Sequence, residues 1–175
     1  MAILPIVRYP HEVLATNSEP VREITADIER LVRDMIETMH AAPGVGLAAN
    51  QVGVALQVAV VDLGAGEGPG EVLVLINPRI VESSGGHVED EGCLSLPGFT
   101  ERVSRPDRSV IEAMDLEGRT RALEGRGLMA RAFNHEIEHL HGRLFIEHLS
   151  PLKRRLIKRK VQKRMRTGDW DLVPA

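Results

Sequence analysis

The sequence predicts an α+β fold: a single domain, residues 1–175, in which antiparallel and mixed β-sheets surround a central helix carrying His-Glu-x-x-His, with a second, basic helix at the C-terminus. Three observations predict it. Apolar residues recur at helical spacing after Thr25, a proline-free run of good helix formers precedes His135, and Ser150-Pro151 opens a further helix, expected over about 151–166. Short β-branched runs occur at 56–63, 72–76, 80–82, 109–116 and 119–124. The last two flank Glu117-Gly118, a turn that makes them an antiparallel hairpin. A chain of 175 residues is long enough for one domain with a real core.

In chain order, residues 1–24 carry three X-Pro steps and predict extended chain, with a short helical turn near His11–Leu14. Thr25 is the expected N-cap of a helix of about four turns, with Ile28, Leu31, Val32, Met35, Ile36 and Met39 on its inner face. His40, near its end, suits the helix dipole as a structural residue. Pro43 breaks this helix before Gly44-Val45-Gly46-Leu47-Ala48-Ala49-Asn50-Gln51. Two glycines around one valine allow close approach of backbone, but no Gly-Lys-Ser/Thr follows, so this is no phosphate loop. A tight turn between helix and strand is the plain alternative.

Leu56–Leu63 reads as a buried strand, Gly64–Gly70, with Glu67 and Pro69, as an exposed hairpin-like loop, and Val72–Ile76 as a second strand ended by Asn77-Pro78. Ile80–Glu82 is a candidate third strand, Ser83–Gly86 a turn, and His87 a solvated residue. Glu91-Gly92-Cys93-Leu94-Ser95-Leu96-Pro97-Gly98 predicts irregular backbone near a sheet edge. No Gly-x-Ser-x-Gly occurs, so Ser95 is not a strong nucleophile candidate. Gly125–Gly127 opens the motif helix, Gly142 stops it, and Leu144–Leu149 is a short apolar link. On the last helix Leu152, Leu156, Ile157, Val161 and Met165 form one stripe.

Aromatic residues are scarce, so Leu, Val, Ile and Met must fill the interior. The N-terminus lacks the charged and long apolar regions of a signal peptide, and no apolar run reaches the length of a membrane span. A single cysteine excludes an internal disulfide and suits a reducing compartment; the expectation is a soluble cytoplasmic protein with no membrane partner. Net charge is −3 but uneven: residues 1–150 hold 13 Arg against 23 acids, whereas 151–175 hold 9 basic and 2 acidic residues. A basic tail on an acidic body predicts an anionic partner for the tail.

The chemistry concentrates at Asn134-His135-Glu136-Ile137-Glu138-His139. Helical positions i and i+4 share a face, so His135 and His139 can offer two imidazoles to one metal ion, with Glu136 beside it to handle a proton. Read alone, such a pair is only a hypothesis, since histidines sit on many helices without binding anything. The usual third ligands of helical metalloproteases are missing: Phe145 stands where a third His is required, His148 is three residues late, and no Glu follows Glu147. The leading candidate is Cys93, although a lone cysteine is often just a small core residue.

Taken together, Gly44-Val45-Gly46-Leu47-Ala48-Ala49-Asn50-Gln51, Glu91-Gly92-Cys93-Leu94-Ser95 and His135-Glu136-x-x-His139 resemble, in order, the three motifs of the peptide deformylase family. The opening Pro-Ile-Val-Arg-Tyr-Pro and the basic C-terminal helix are also similar to that family, and the resemblance spans nearly the whole chain. Two residues depart from it: Asn134 stands for the usual Gln and Glu138 for the usual Asp. Both keep polarity and change length by one methylene, so any consequence falls on how the ligands are oriented.

The resemblance implies a metallohydrolase that removes the N-formyl group from the formylmethionine of nascent polypeptides. Cys93, His135 and His139 would hold one divalent metal and leave a fourth position open. Ferrous iron is the family's usual ion, with zinc, nickel or cobalt able to substitute. Glu136 would pass a proton from water to the leaving amine, and the Gln51 amide and the Leu94 N–H would stabilise the oxyanion. The peptide would lie along Gly44, Val45 and Gly46 and along Glu91 and Gly92 like an added strand, with Val45 and Leu128 lining the methionine pocket. The basic helix would dock on the ribosome. Two rivals remain at this stage: a ribosome-associated module with a structural metal, which leaves Glu136 and Gln51 unexplained, and a metallopeptidase acting on ordinary peptide bonds.

Overall fold

The β-branched run at Val58–Val61 (β2) is apolar at every position because both of its faces are covered. Side chains alternate across a strand, so Val58 and Val60 face one way and Ala59 and Val61 the other. Val58 and Val60 pack with Val32, Met35 and Met39 of helix α1, Ala26–Ala41. Ala59 and Val61 pack with Ala132, Phe133, Ile137 and Leu140 of helix α2, Leu128–Leu140. The computed structural model describes residues 2–64 and 71–172. Residues 65–70, which hold most of the expected loop with Glu67 and Pro69, lie outside the described residues.

The remaining strands are β1 (Gly46–Ala48), β3 (Leu73–Ser84), β4 (His87–Gly92), β5 (Thr100–Arg105), β6 (Arg108–Met114) and β7 (Thr120–Arg126). Five form one sheet in the order β1-β2-β3-β6-β7, with every neighbour antiparallel, and β4 and β5 form a separate antiparallel pair. The expected α+β class holds. The sheet lies between α1 and α2, and α2 carries the motif.

Local chemistry accounts for the helix ends. The Thr25 hydroxyl accepts from the Ile28 N–H at α1, and Ser150 accepts from the Lys153 N–H at helix α3, Pro151–Thr167. Gly142, at φ +70°, ends the motif helix, where a Cβ would lie 2.6 Å from the Ala15 carbonyl oxygen. The turn expected near His11–Leu14 is a 3₁₀ turn at Glu12–Ala15, and the apolar link before α3 is another at Phe145–His148. A hydrogen bond ties His40 Nε2 to Asp62 Oδ2 at 2.8 Å.

Several readings differ from the structure, among them the third strand at Ile80–Glu82 and the turn from Ser83, both of which fall within or begin in β3. Asn77-Pro78 does not end a strand; β3 runs through it with a shift of register between Ile76 and Arg79. Asn77 takes φ +50°, and its amide exchanges two 2.8 Å hydrogen bonds with the Val21 backbone, so an apparent stop is a bulge. Gly46–Ala48 is a short strand rather than a turn, because Asp62 N also donates to Val45 O and extends the β2 pairing. The polar stretch from His87 is a strand, and His87 is half-buried with Nδ1 2.9 Å from Asp107 rather than solvated. Of the α3 stripe only Ile157 and Val161 are buried; Leu152, Leu156 and Met165 are 63%, 44% and 47% exposed. The helix meets the body along one line of i,i+4 positions, too narrow to cover the full stripe.

A third core cluster joins the β4–β5 pair to the C-terminal part. Leu96 and Val103 pack with Phe145, Ile146, Ile157, Val161 and Trp170, with Cys93 and Phe99 at its edge. Among the described residues no helix is long and apolar enough to cross a membrane.

Candidate metal centre and substrate cleft

One turn of α2 separates His135 from His139, and their Nε2 atoms lie 3.1 Å apart. Cys93, just past the end of β4, places Sγ 3.1 Å from His139 Nε2, and the three ligand atoms all fall within 4.8 Å of one another. Donors around a tetrahedral first-row ion, bound at about 2.0–2.3 Å, are spaced by roughly 3.4 Å. The observed spacing fits that geometry, and one thiolate with two imidazoles is a donor set such an ion prefers. The antiparallel β4–β5 pair and α2 are thus what bring residues 42 to 46 positions apart in sequence into one cluster.

The orientation of His135 is fixed from behind. Its Nδ1 lies 2.7 Å from Glu91 Oε1, leaving Nε2 for the cluster. Glu91 also accepts from Arg105 Nε at 3.0 Å and Nη2 at 2.6 Å, and from Arg131 Nη1 at 2.6 Å. Burial alone would raise the Glu91 carboxyl, but hydrogen bonds from His135 and Arg105 outweigh it and hold it well below the usual carboxylate range. His139 is held differently: the Asn50 amide donates to its backbone carbonyl.

The two residues that depart from the family pattern are also placed. Glu138 Oε1 lies 2.8 Å from both Arg105 Nη1 and His148 Nε2. Asn134 Nδ2 donates to Ser109 Oγ and to Ala130 O, both at 2.8 Å. Arg105 and Arg131 were not singled out from sequence, His148 was weighed only as a metal ligand and set aside, and Glu91 was singled out for its backbone rather than its carboxylate. Glu91 and Arg105 share a face only once the β4–β5 register is drawn, and no apolar alternation announces those strands.

Glu136 points the other way, toward the sheet edge at Gly46. It is buried, and its Oε2 has no hydrogen-bond partner among the described residues. Desolvation pushes its carboxyl up to about 7. Gln51 is pinned by the Ala48 N–H, which donates to its Oε1 at 2.9 Å. Its Nε2 is thereby turned to Ser95 Oγ at 3.2 Å and to Cys93 Sγ at 3.6 Å. Leu94 follows Cys93, with Cδ1 2.9 Å from where a Gly44 Cβ would be.

These residues surround a cleft of about 370 Å³ lined by Gly44, Val45, Gly46 and Gln51 on one side, by Glu91, Gly92, Cys93 and Leu94 on the other, and by Leu128, His135 and Glu136 at the α2 side. Every residue expected to act on metal or substrate therefore lines one cavity, except His139, which is 1% exposed and is not part of the lining. A buried carboxylate beside a two-histidine, one-cysteine cluster in an open cleft defines a class of protein: the metal-dependent amide hydrolases of the His-Glu-x-x-His type.

Comparison with known proteins makes this specific. The family profile described as Polypeptide deformylase matches residues 3–155. The peptide deformylase of Acidobacterium capsulatum is 46% identical over 170 residues, covering 97% of this chain and all of that one. The crystal structure of a peptide deformylase from Legionella pneumophila superposes with a TM-score of 0.88 at 40% identity, covering 95% of this chain and 98% of that one. A peptide deformylase from Ehrlichia chaffeensis, solved in complex with actinonin, gives 0.87 at 38% identity over 94% and 98% of the two chains. The chain belongs to the polypeptide deformylase family, hydrolases that remove the N-formyl group from nascent polypeptides.

Proposed function

We propose that this cleft deformylates the N-terminal formylmethionine of nascent polypeptides, with Cys93, His135 and His139 holding one divalent metal. The observation that supports it most is the convergence of Cys93 Sγ and the two Nε2 atoms beside the buried Glu136 carboxylate. When bound there, such an ion supplies Lewis-acid chemistry and renders a water nucleophilic near neutral pH. Glu136 takes the proton from the attacking water and delivers it to the amine that leaves, a role suited to a carboxyl that burial has raised toward 7.

Gln51 Nε2, oriented by the Ala48 contact, and the Leu94 backbone N–H donate to the oxygen that gains charge. The peptide backbone adds as a strand beside Gly44–Gly46 and against Glu91–Gly92, while Val45 and Leu128 border the methionine side chain. Leu128 is 52% exposed before a substrate covers it, which suits a residue at the mouth of a pocket. Ferrous iron is the ion we assign in the cell, with zinc, nickel or cobalt as substitutes, and the cytoplasm as the compartment.

The test is formate release from formyl-Met-Ala-Ser, with metal content measured on the same samples. Wild type releases formate and leaves the acetylated peptide intact. Glu136→Gln keeps its metal and loses turnover by about 10²–10⁴-fold. Equal turnover by the variant, or equal cleavage of the acetylated peptide, overturns the reading in favour of a structural metal or an ordinary peptidase.

Helix α3 is the proposed ribosome-docking element, through exposed Arg155, Lys158 and Arg159. Deletion of 152–175 is expected from sequence to spare turnover. With Ile157, Val161 and Trp170 buried against the body, that deletion would instead open the core. Reversing the three exposed charges to Glu is the cleaner test: ribosome co-sedimentation falls while formate release from a short peptide persists.

A further inference from the structure

The last described turn of the chain reaches the cleft wall from behind. Trp170 opens a 3₁₀ turn, Trp170–Leu172, just after α3 and is 4% exposed. Its Nε1 donates to Tyr9 O at 2.8 Å, and Tyr9 N donates to Ser95 O at 2.8 Å. On its other side the Phe99 ring lies 6.2 Å away, tilted by 57°. The Arg164 guanidinium of α3 lies 5.2 Å from the centroid of the same ring. Phe99 itself lines the cleft with Gly98 and Thr100, and Phe99 O lies 3.4 Å from where a Cβ on Gly92 would be.

Resting on the deformylase reading, we propose that Trp170 is a positioning residue: it fixes Phe99 as an apolar wall for the peptide residues that follow methionine. Phe99 adjoins Gly98, at φ +76°, and the exposed Thr100, neither of which can restrain a ring. The tilted indole and the cation over its face select one placement. A side chain ordered before binding does not have to be ordered by the substrate, so the wall favours an aromatic or aliphatic residue lying against it. A peptide added as a strand beside Gly92 runs past Phe99 after its first residues, which places this contact downstream of methionine rather than at it.

The experiment compares kcat and KM for formyl-Met-Ala and formyl-Met-Ala-Phe in metal-loaded full-length protein. Trp170→Ala lowers the preference for the longer peptide by roughly threefold to tenfold, through KM, the size of one aromatic contact. Trp170→Phe, which keeps an aromatic ring, restores most of the preference. Phe99→Ala lowers it likewise, and adding Trp170→Ala to Phe99→Ala has no further effect on the ratio. An equal fall on both peptides, an unchanged preference, or additive losses in the double variant overturns the proposal. Formate release from formyl-Met-Ala by wild type tests the deformylase reading separately, so the two failures are distinguishable.

Discussion

Glu91 Oε1 lies 2.7 Å from His135 Nδ1 while the same carboxylate is gripped by Arg105 and Arg131. The contact sets the histidine's orientation and the tautomer that leaves Nε2 available. Glu91→Ala therefore weakens metal affinity by about 10–100-fold, read by competition with a chelator. It also leaves the buried Arg131 guanidinium without a carboxylate partner among the described residues and Arg105 with Glu138 alone, at about 3–5 kcal/mol of stability. Unchanged affinity in a folded variant would remove Glu91 from the metal centre.

Gly46 tests the placement of Glu136. A Cβ added there would land on Glu136 Oε1 and lie 2.9 Å from Cδ. That carboxylate is the end of a flexible side chain, so the fold survives and the acid moves instead. Gly46→Ala should retain metal and melting temperature but lose turnover by at least roughly tenfold, since misplaced proton transfer is costly. A variant with wild-type kcat would show that Glu136 tolerates displacement and is not the proton carrier.

Stability against pH isolates the same carboxyl. Its folded value of about 7 exceeds the ordinary 4.5, so between those values the folded protein keeps a proton that the unfolded chain has released. Its contribution is complete below the lower value and is lost as pH rises through the upper one. Metal-free wild type should thus lose about 3 kcal/mol relative to Glu136→Gln across that window, measured by urea unfolding. Glu91 runs oppositely: its contribution is present above the ordinary carboxylate range and is lost as pH falls through its depressed value. It is common to both proteins, so it cancels in the difference. A gap that stays constant over the window would contradict the assigned shift.

Reconstitution with different ions probes the thiolate. Cys93 is partly exposed at the cleft, and ferrous iron and thiolate both oxidise. The iron form should lose formate release in air faster than the nickel form, with mass spectrometry finding oxygen added at Cys93. Equal decay of both forms would argue that the thiol is not reached by oxidant.

The proposed His135, Glu136 and His139 were legible because their spacing is local, whereas the roles proposed for Cys93, Gln51 and Leu94 came from the family resemblance. His135 and His139 share a helix face by arithmetic, Thr25 and Ser150 announce their helices, and the hairpin of β6 and β7 follows from Glu117-Gly118. Strand β2 was legible because both faces are covered, so burial leaves no polar position. Hairpin β4–β5 was not, since its inner face buries Glu91 and Arg105 beside a single apolar residue, Val103. Charge pairing replaces hydrophobic patterning there, and a pairing across strands has no signature within either one.

Sequence alone determined the two candidate imidazole donors, the adjacent acid and the class of fold, because helical and strand periodicity are properties of neighbouring residues; Cys93 as third donor was what the family resemblance implied. Tertiary structure decided that one sulfur meets two imidazoles, that Glu91 turns its carboxylate inward to His135, and that Trp170 stands behind Phe99. Those contacts join segments dozens of residues apart. They exist only because packing the buried faces of the sheet and α2, and of the β4–β5 pair and α3, leaves the polar groups one mutual arrangement in which their charges and hydrogen bonds are met.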